Sequence, residues 1–193
     1  MFHKINKVKR YDFNNSGYKH YIVTNQELRE DELELLGQLL ASFPNASNRD
    51  WANAFAKLNI EKIPKKILIL AANAYDTCGN TVLGVAAEYG KQVEAVQRLI
   101  DMGANLDTPD DNMNKLALHW AINNKLSFND KDSYEAVKVV KCLLDNGART
   151  DIICYQNSTP LAYAKSRGFN AAANLIEESM RNIRKNHVSS TVV

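Results

Sequence analysis

The sequence predicts a mainly α-helical chain assembled in part from a repeated unit. Three observations carry this. Glycine (8) and proline (4) together supply only 12 of 193 residues, well below the average share, which argues against a turn-dense all-β fold. Apolar residues recur at helical spacing, as in Leu28, Leu35, Leu36, Leu39, Leu40 and Phe43. From residue 73 onward the chain also resembles itself, three times over.

The elements follow in order. Residues 1–24 are basic and aromatic, with Lys4, Lys7, Lys9, Arg10 and Lys19 against Asp12 alone. Two strand-like runs, Tyr11-Asp12-Phe13 and Tyr18 to Val23, flank Asn14-Asn15-Ser16-Gly17 and predict a short hairpin leaning on the next helix. Thr24-Asn25-Gln26-Glu27 has the pattern of a capping box, so that helix is expected to start at Thr24 and to end at Pro44. A second start lies at Ser47 to Asp50, with Trp51, Ala54, Phe55 and Leu58 on one face. A third helix is expected from Pro64, burying Ile67, Leu68, Leu70 and Ala71.

The repeat then begins. Asp76-Thr77-Cys78-Gly79-Asn80-Thr81-Val82-Leu83-Gly84-Val85-Ala86-Ala87-Glu88-Tyr89-Gly90 leads to Leu99-Ile100-Asp101-Met102-Gly103-Ala104. Leu116-Ala117-Leu118-His119-Trp120-Ala121 leads to Cys142-Leu143-Leu144-Asp145-Asn146-Gly147-Ala148, and Thr159-Pro160-Leu161-Ala162-Tyr163-Ala164 leads to Leu175 and Ile176. This resembles the ankyrin-repeat family, whose pattern is Asp-x-x-Gly-x-Thr-Pro-Leu-His-x-Ala-Ala-x-x-Gly, a second helix, then Leu-Leu-x-x-Gly-Ala. The resemblance covers residues 73–178. It implies a solenoid of stacked helix–turn–helix units with projecting β-hairpin loops, behind a small hairpin-and-helix N-terminal cap. The expected organisation is a cap over residues 1–44 and an array over 45–186. The array divides into a degenerate repeat (45–72), repeats at 73–106 and 107–150, and a last repeat with its C-terminal helix (151–186). Residues 187–193 form a tail. Leu83, Leu118 and Leu161 mark the register, and the longer second interval implies an insertion at 125–134. Departures from the pattern are specific. Val82 and Ala117 replace Pro, Gly84 and Ala162 replace His, Cys154 replaces Asp, and Asn114 and Asn157 replace the turn glycine, a substitution that left-handed backbone tolerates.

Composition excludes several classes. No apolar run approaches the 18 or so residues of a membrane span. Three cysteines are too few for a disulfide scaffold, and no apolar segment follows the N-terminal basic residues, so an intracellular, reducing setting is expected. A net charge of +2 offers no global case for nucleic acid. No phosphate-cradling loop or metal-ligand spacing is present, and no cofactor or metal is expected. A Cys78–His119 pair could form a nucleophile and base, but in the resembled family the His119 slot is structural, bonding the neighbouring turn. Asp107, Asp110 and Asp111 lack calcium-loop spacing and read as a solvated hairpin.

The resemblance implies a non-enzymatic protein–protein interaction module, a monomer when free, that binds a protein partner on its concave face. The family's exposed positions fall on Tyr75, Thr77, Cys78, Asn80, Glu88 and Tyr89 in the first unit. In the second they fall on Asp110, Asn112, Met113, Lys115, Asn123 and Asn124, and in the third on Ile153, Tyr155, Gln156, Ser158, Ser166 and Arg167. Tyr75, Tyr89, Met113 and Tyr155 are the expected anchors, since Tyr and Met are enriched in interface cores. Such a module could regulate or inhibit its partner. The Asn-, Lys- and Ile-rich composition and the Glu177-Glu178 pair near the C-terminus also fit a bacterial effector acting in host cytosol. The alternative is an enzymatic, nucleic-acid-binding or lipid-binding activity in the first 60 residues, centred on the basic, aromatic hairpin, with the repeats recruiting a target.

Overall fold

The computed structural model describes residues 9–15, 18–43, 55, 57–89, 93–123, 130–153 and 155–189. Strands β1 (Lys9–Asn15) and β2 (Tyr18–Thr24) form the expected antiparallel hairpin, in a register that places Lys9 opposite Thr24 and Asn15 opposite Tyr18. Helix α1 spans Glu30–Leu40. Its N-cap lies five residues beyond the sequence expectation, at Arg29 instead of Thr24. Thr24 ends β2, and its hydroxyl accepts only from the Gln26 amide, at 3.1 Å. Half of a capping box forms later: Arg29 is the N-cap, and its amide donates to Glu32 at 3.0 Å, but the Arg29 side chain has no acceptor to return the bond. Glu27 instead pairs with Lys9 across the hairpin, at 2.7 Å.

Helix α2 is Lys65–Ala72, entered from Pro64 as expected. The preceding stretch 44–54 lies outside the described residues, including the expected start at Ser47 to Asp50 and Trp51. Phe55 is helical and buried. Helix α1 packs on α2, with Lys66 paired to Glu32 at 2.7 Å. The short strand β3 (Tyr75–Asp76) opens the first unit, followed by α3 (Val82–Tyr89) and α4 (Val93–Asp101). The second unit holds α5 (Ala117–Asn123) and α6 (Asp130–Asp145), and the third holds α7 (Pro160–Ser166) and α8 (Asn170–Ser189). Residues 130–134 of the insertion lengthen α6; 124–129 lie outside the described residues. Helix α8 runs to Ser189, past the expected tail boundary, and holds Glu177 against Lys165 at 2.8 Å, so that residue of the acidic pair sits in ordered helix.

Helices α3, α5 and α7 stack in one row and α4, α6 and α8 in a second. The reason is visible at equivalent positions. Ala86, Ala121 and Ala164 are fully buried, because only a methyl fits where one inner helix meets the next. Leu99, Leu143 and Ile176 fill the space between the rows. Thr81 and Thr159 cap α3 and α7, accepting from the amides of Gly84 at 3.0 Å and Ala162 at 3.2 Å. Asn114 and Asn157 take left-handed backbone (φ 55° each), as their slots predicted. Gly84 departs from the pattern for a reason outside its own unit. A Cβ there would stand 2.7 Å from the Trp120 ring and 2.9 Å from the Thr81 hydroxyl, so the indole of the second unit occupies the room a side chain would need.

The sequence did not foretell where the N-terminal hairpin goes. Strand β2 pairs antiparallel with β3, His20 opposite Asp76 and Tyr21 opposite Tyr75, so the sheet order is β1-β2-β3. The hairpin packs against α1 as expected, packs against α2 as well, and continues the first unit's projecting loop as a sheet. His20, Tyr21, Ile22 and Thr24 are buried by it.

Candidate partner-binding face

Each unit projects a finger between its neighbour's outer helix and its own inner helix, and buried carboxylates shape the first two. In the first finger Asp76 is fully enclosed. Its Oδ1 accepts from the amides of Cys78 (2.8 Å) and Asn80 (3.0 Å), and its Oδ2 from the Asn80 side chain (3.0 Å). In the second finger, counting seven residues back from Leu118, as Asp76 precedes Leu83, lands on Asp111. The residue that holds the turn is Asp110, which accepts from the amides of Asn112 and Met113 and from the Trp120 indole N–H at 2.9 Å. The closing bond shows why: the Asp76 amide reaches the Asn80 carbonyl, whereas the Asp110 amide reaches Lys115. The second finger is one residue longer. The extra residue frees Asp111, whose carboxylate accepts from the Tyr21 hydroxyl of the hairpin.

That bond belongs to a layered contact on the first finger. The Arg10 guanidinium lies 3.6 Å from the centroid of the Tyr21 ring, and Tyr21 stacks on Tyr75 with centroids 5.1 Å apart and planes 10° from parallel. Burial and the Asp111 carboxylate push the Tyr21 hydroxyl's pKa up, and burial raises that of Tyr75. Tyr75 is therefore not an open anchor: its face is covered by this chain's own hairpin. The same packing bears on the basic segment. Lys9 is paired with Glu27 and Arg10 with Asp12 at 3.0 Å, while Tyr11 and Phe13 pack against the core. Where they are described, these cations and rings already have partners within the chain.

The other expected positions separate into three groups. Asn80, Asp110 and Lys115 are buried, which corrects the expectation that they are exposed; the first two are consumed in turn hydrogen bonds. The Asp107–Asp111 stretch is likewise no solvated cluster, since Asp107 accepts from the Arg149 amide at 2.9 Å. Thr77, Cys78, Asn112, Met113, Ile153, Gln156, Ser166 and Arg167 are exposed. Glu88, Asn123, Tyr155 and Ser158 are half-buried. The side chain of Tyr89, and Asn124 altogether, lie outside the described residues. On the concave side a polar chain links the three inner helices: the Asn123 amide donates to Glu88 at 2.9 Å, and the Tyr163 hydroxyl donates to Asn123 at 2.9 Å.

No catalytic pair assembles from the expected residues. His119 is fully enclosed, beside Tyr163 (centroids 5.6 Å apart) and in a hydrogen bond with the Ser158 backbone of the next finger, while Cys78 sits on an exposed tip. Burial, opposed by the Ser158 bond, lowers the His119 pKa to about 4, so the ring is neutral at physiological pH. A groove of about 450 Å³ opens between α4 and α6, lined by Gln97, Arg98, Cys142 and Asn146 among others. Its thiol is buried and donates to Gln97 at 3.4 Å, and burial raises its pKa, so Cys142 is a poor nucleophile. Cys154 lies outside the described residues. Among the described residues no three His, Cys, Asp or Glu side chains could hold a metal ion together, and no helix is long and apolar enough to cross a membrane.

Residues 53–130 match the family model described as ankyrin repeats (3 copies). That stretch is identified as ankyrin repeats. The match begins ahead of α2 and stops before the third finger; α7, with its Thr159 cap, Pro160 entry and buried Ala164, continues the same construction beyond it. Among solved structures, the chain is similar to an ankyrin repeat domain from Acinetobacter baumannii AYE, at 25% identity and a TM-score of 0.48. That match covers 59% of this chain and 56% of the other. No curated protein matches. Ankyrin repeats are protein-interaction modules, and the family is generally non-enzymatic.

Proposed function

We propose that this protein binds a protein partner on its second and third fingers and the adjoining concave surface, and acts without chemistry of its own. The observation that carries this reading is an asymmetry between fingers. The first is covered by the hairpin through the Tyr21–Tyr75 stack. On the other two, Met113 and Ile153 present large apolar side chains to solvent, 40% and 62% exposed. Met113 stands beside the left-handed Asn114, and the tip beyond Ile153 turns on Gln156 and Asn157, also left-handed, so both are displayed from tightly turned backbone. A face held ready by stacked helices loses little ordering entropy on binding. Such a module acts on its partner by occupying it, which is the basis for a regulatory or inhibitory role.

The test is affinity capture from a lysate of the producing cells, with the full chain and with Met113→Ser/Ile153→Ser as baits. Proteins retained by the first and lost by the second are the expected outcome. Val23→Ser, a change on the exposed part of the hairpin, serves as control. Equal capture by all three baits overturns the placement.

A further inference from the structure

Lys115 is the least comfortable charge on the concave side. It is 4% exposed, and its ammonium lies between two aromatic faces, 4.3 Å from the centroid of Trp120 and 4.4 Å from that of Tyr155. Ring faces attract a cation, but they do not neutralise it. A buried ammonium ordinarily has a carboxylate in contact. Lys115 has none among the described residues, although Glu88 and Asp110 are near enough for their charge to reach it. Both are engaged elsewhere: Asp110 by its own turn and the Trp120 indole, and Glu88 by Asn123. The ammonium makes no hydrogen bond among the described residues either, yet it is not one of the fully enclosed side-chain N or O atoms that lack one. Its tip keeps a water-facing edge. Burial pulls its pKa down against the charges of Glu88 and Asp110, and Arg167 adds to the lowering.

A second cation stands beside it. Arg167 is exposed and makes no ion pair among the described residues; its guanidinium carbon is 6.0 Å from the centroid of Tyr163. Tyr163 meets Tyr155 edge-on, centroids 5.7 Å apart, and Arg167 is close enough to Lys115 to repel it. Lys115 and Arg167 thus flank one pair of tyrosines, and among the described residues neither has a carboxylate at ion-pair distance. From this geometry we infer that the concave surface between the second and third units is a carboxylate-binding subsite, which takes an acidic side chain of the partner while Met113 and Ile153 take apolar residues flanking it. The inference rests on the partner-face reading above. Arg167 can meet the carboxylate with paired N–H donors and Lys115 with a single one.

The test uses the full chain and bead-bound short peptides, randomised at every position except a central one fixed as Glu, Gln or Lys. Capture on the central-Glu set is expected to exceed that on the Gln and Lys sets by about ten-fold. Lys115→Met keeps an unbranched apolar stem against the rings, and Arg167→Gln changes an exposed residue. Each is expected to remove most of that preference while leaving the thermal unfolding midpoint within a few degrees. If capture ignores the central residue but falls with Met113→Ser/Ile153→Ser, the carboxylate subsite is wrong and the partner face stands. If neither set of variants alters capture, or no peptide set is captured above a blank bead, both are overturned. A preference for Glu that survives both Lys115→Met and Arg167→Gln also overturns the subsite.

Discussion

Protonating His119 forces a charge into a site closed to bulk solvent. The ring is 0% exposed, and its pKa falls from 6.5 to about 4, chiefly by burial, with repulsion from Lys115 adding to it against the Ser158 bond and Asp110. Because the folded pKa lies below the unfolded one, the unfolded chain holds the extra proton throughout that window. Stability from this group is complete above pH 6.5 and is lost as the pH falls toward 4. At about 1.4 kcal/mol per unit, the loss amounts to about 3 kcal/mol, a large share of the typical ~5–15 kcal/mol. The assay is urea unfolding of the parent and His119→Gln at several pH values between neutral and about 4. At neutral pH the parent is expected to be the more stable, since the variant disturbs the bond to Ser158. The gap is expected to narrow by about 3 kcal/mol at the acid end. Carboxylates held below their usual range by cation partners, such as Glu32 beside Lys66 and Asp31 beside Arg29, titrate in both proteins and cancel. A gap that stays constant across the range would refute the reasoning.

Three further outcomes are expected. Gly84→Ala should destabilise by about 1–3 kcal/mol in denaturant unfolding, because its methyl meets the Trp120 ring at 2.7 Å; a neutral result would show that the indole yields freely. Tyr21→Phe should cost only about 1 kcal/mol, since the freed Asp111 carboxylate is exposed and can be rehydrated, but it should speed hydrogen exchange at β2 amides relative to those of α5. Asp76→Ala should cost about 3 kcal/mol or more, as two backbone amides and the Asn80 side chain lose their acceptor in a buried turn. Asp111→Ala, on an exposed residue, should cost far less; equal costs would contradict the roles assigned to the two carboxylates.

Much of the architecture was legible because its signals are local. The Thr159-Pro160 start, the left-handed Asn114 and Asn157 and the small residues at Ala86, Ala121 and Ala164 each act within one turn or one helix contact. Errors arose where two local solutions compete. Thr24 to Glu27 satisfies the capping pattern, yet Thr24 is drawn into β2 and Glu27 to Lys9, so the helix waits for Arg29 and Glu32. Candidate site residues were read less well, because family positions predict which slot a residue occupies and say nothing of what covers it. Tyr75 and Lys115 both occupy nominally exposed slots. The first is stacked under Tyr21 and the second is enclosed by Trp120 and Tyr155.

The sequence by itself determined the repeat, its register and the residues able to turn and cap it, since these follow from spacing and from backbone preferences of single residues. Only the tertiary structure decided that residues 18–24 pair with residues 75–76, that Asp110 rather than Asp111 holds the second finger, and that Gly84 makes room for an indole from the next unit. Each of these depends on groups far apart in the chain, whose meeting is set by the total burial of the stack and is written in no short segment.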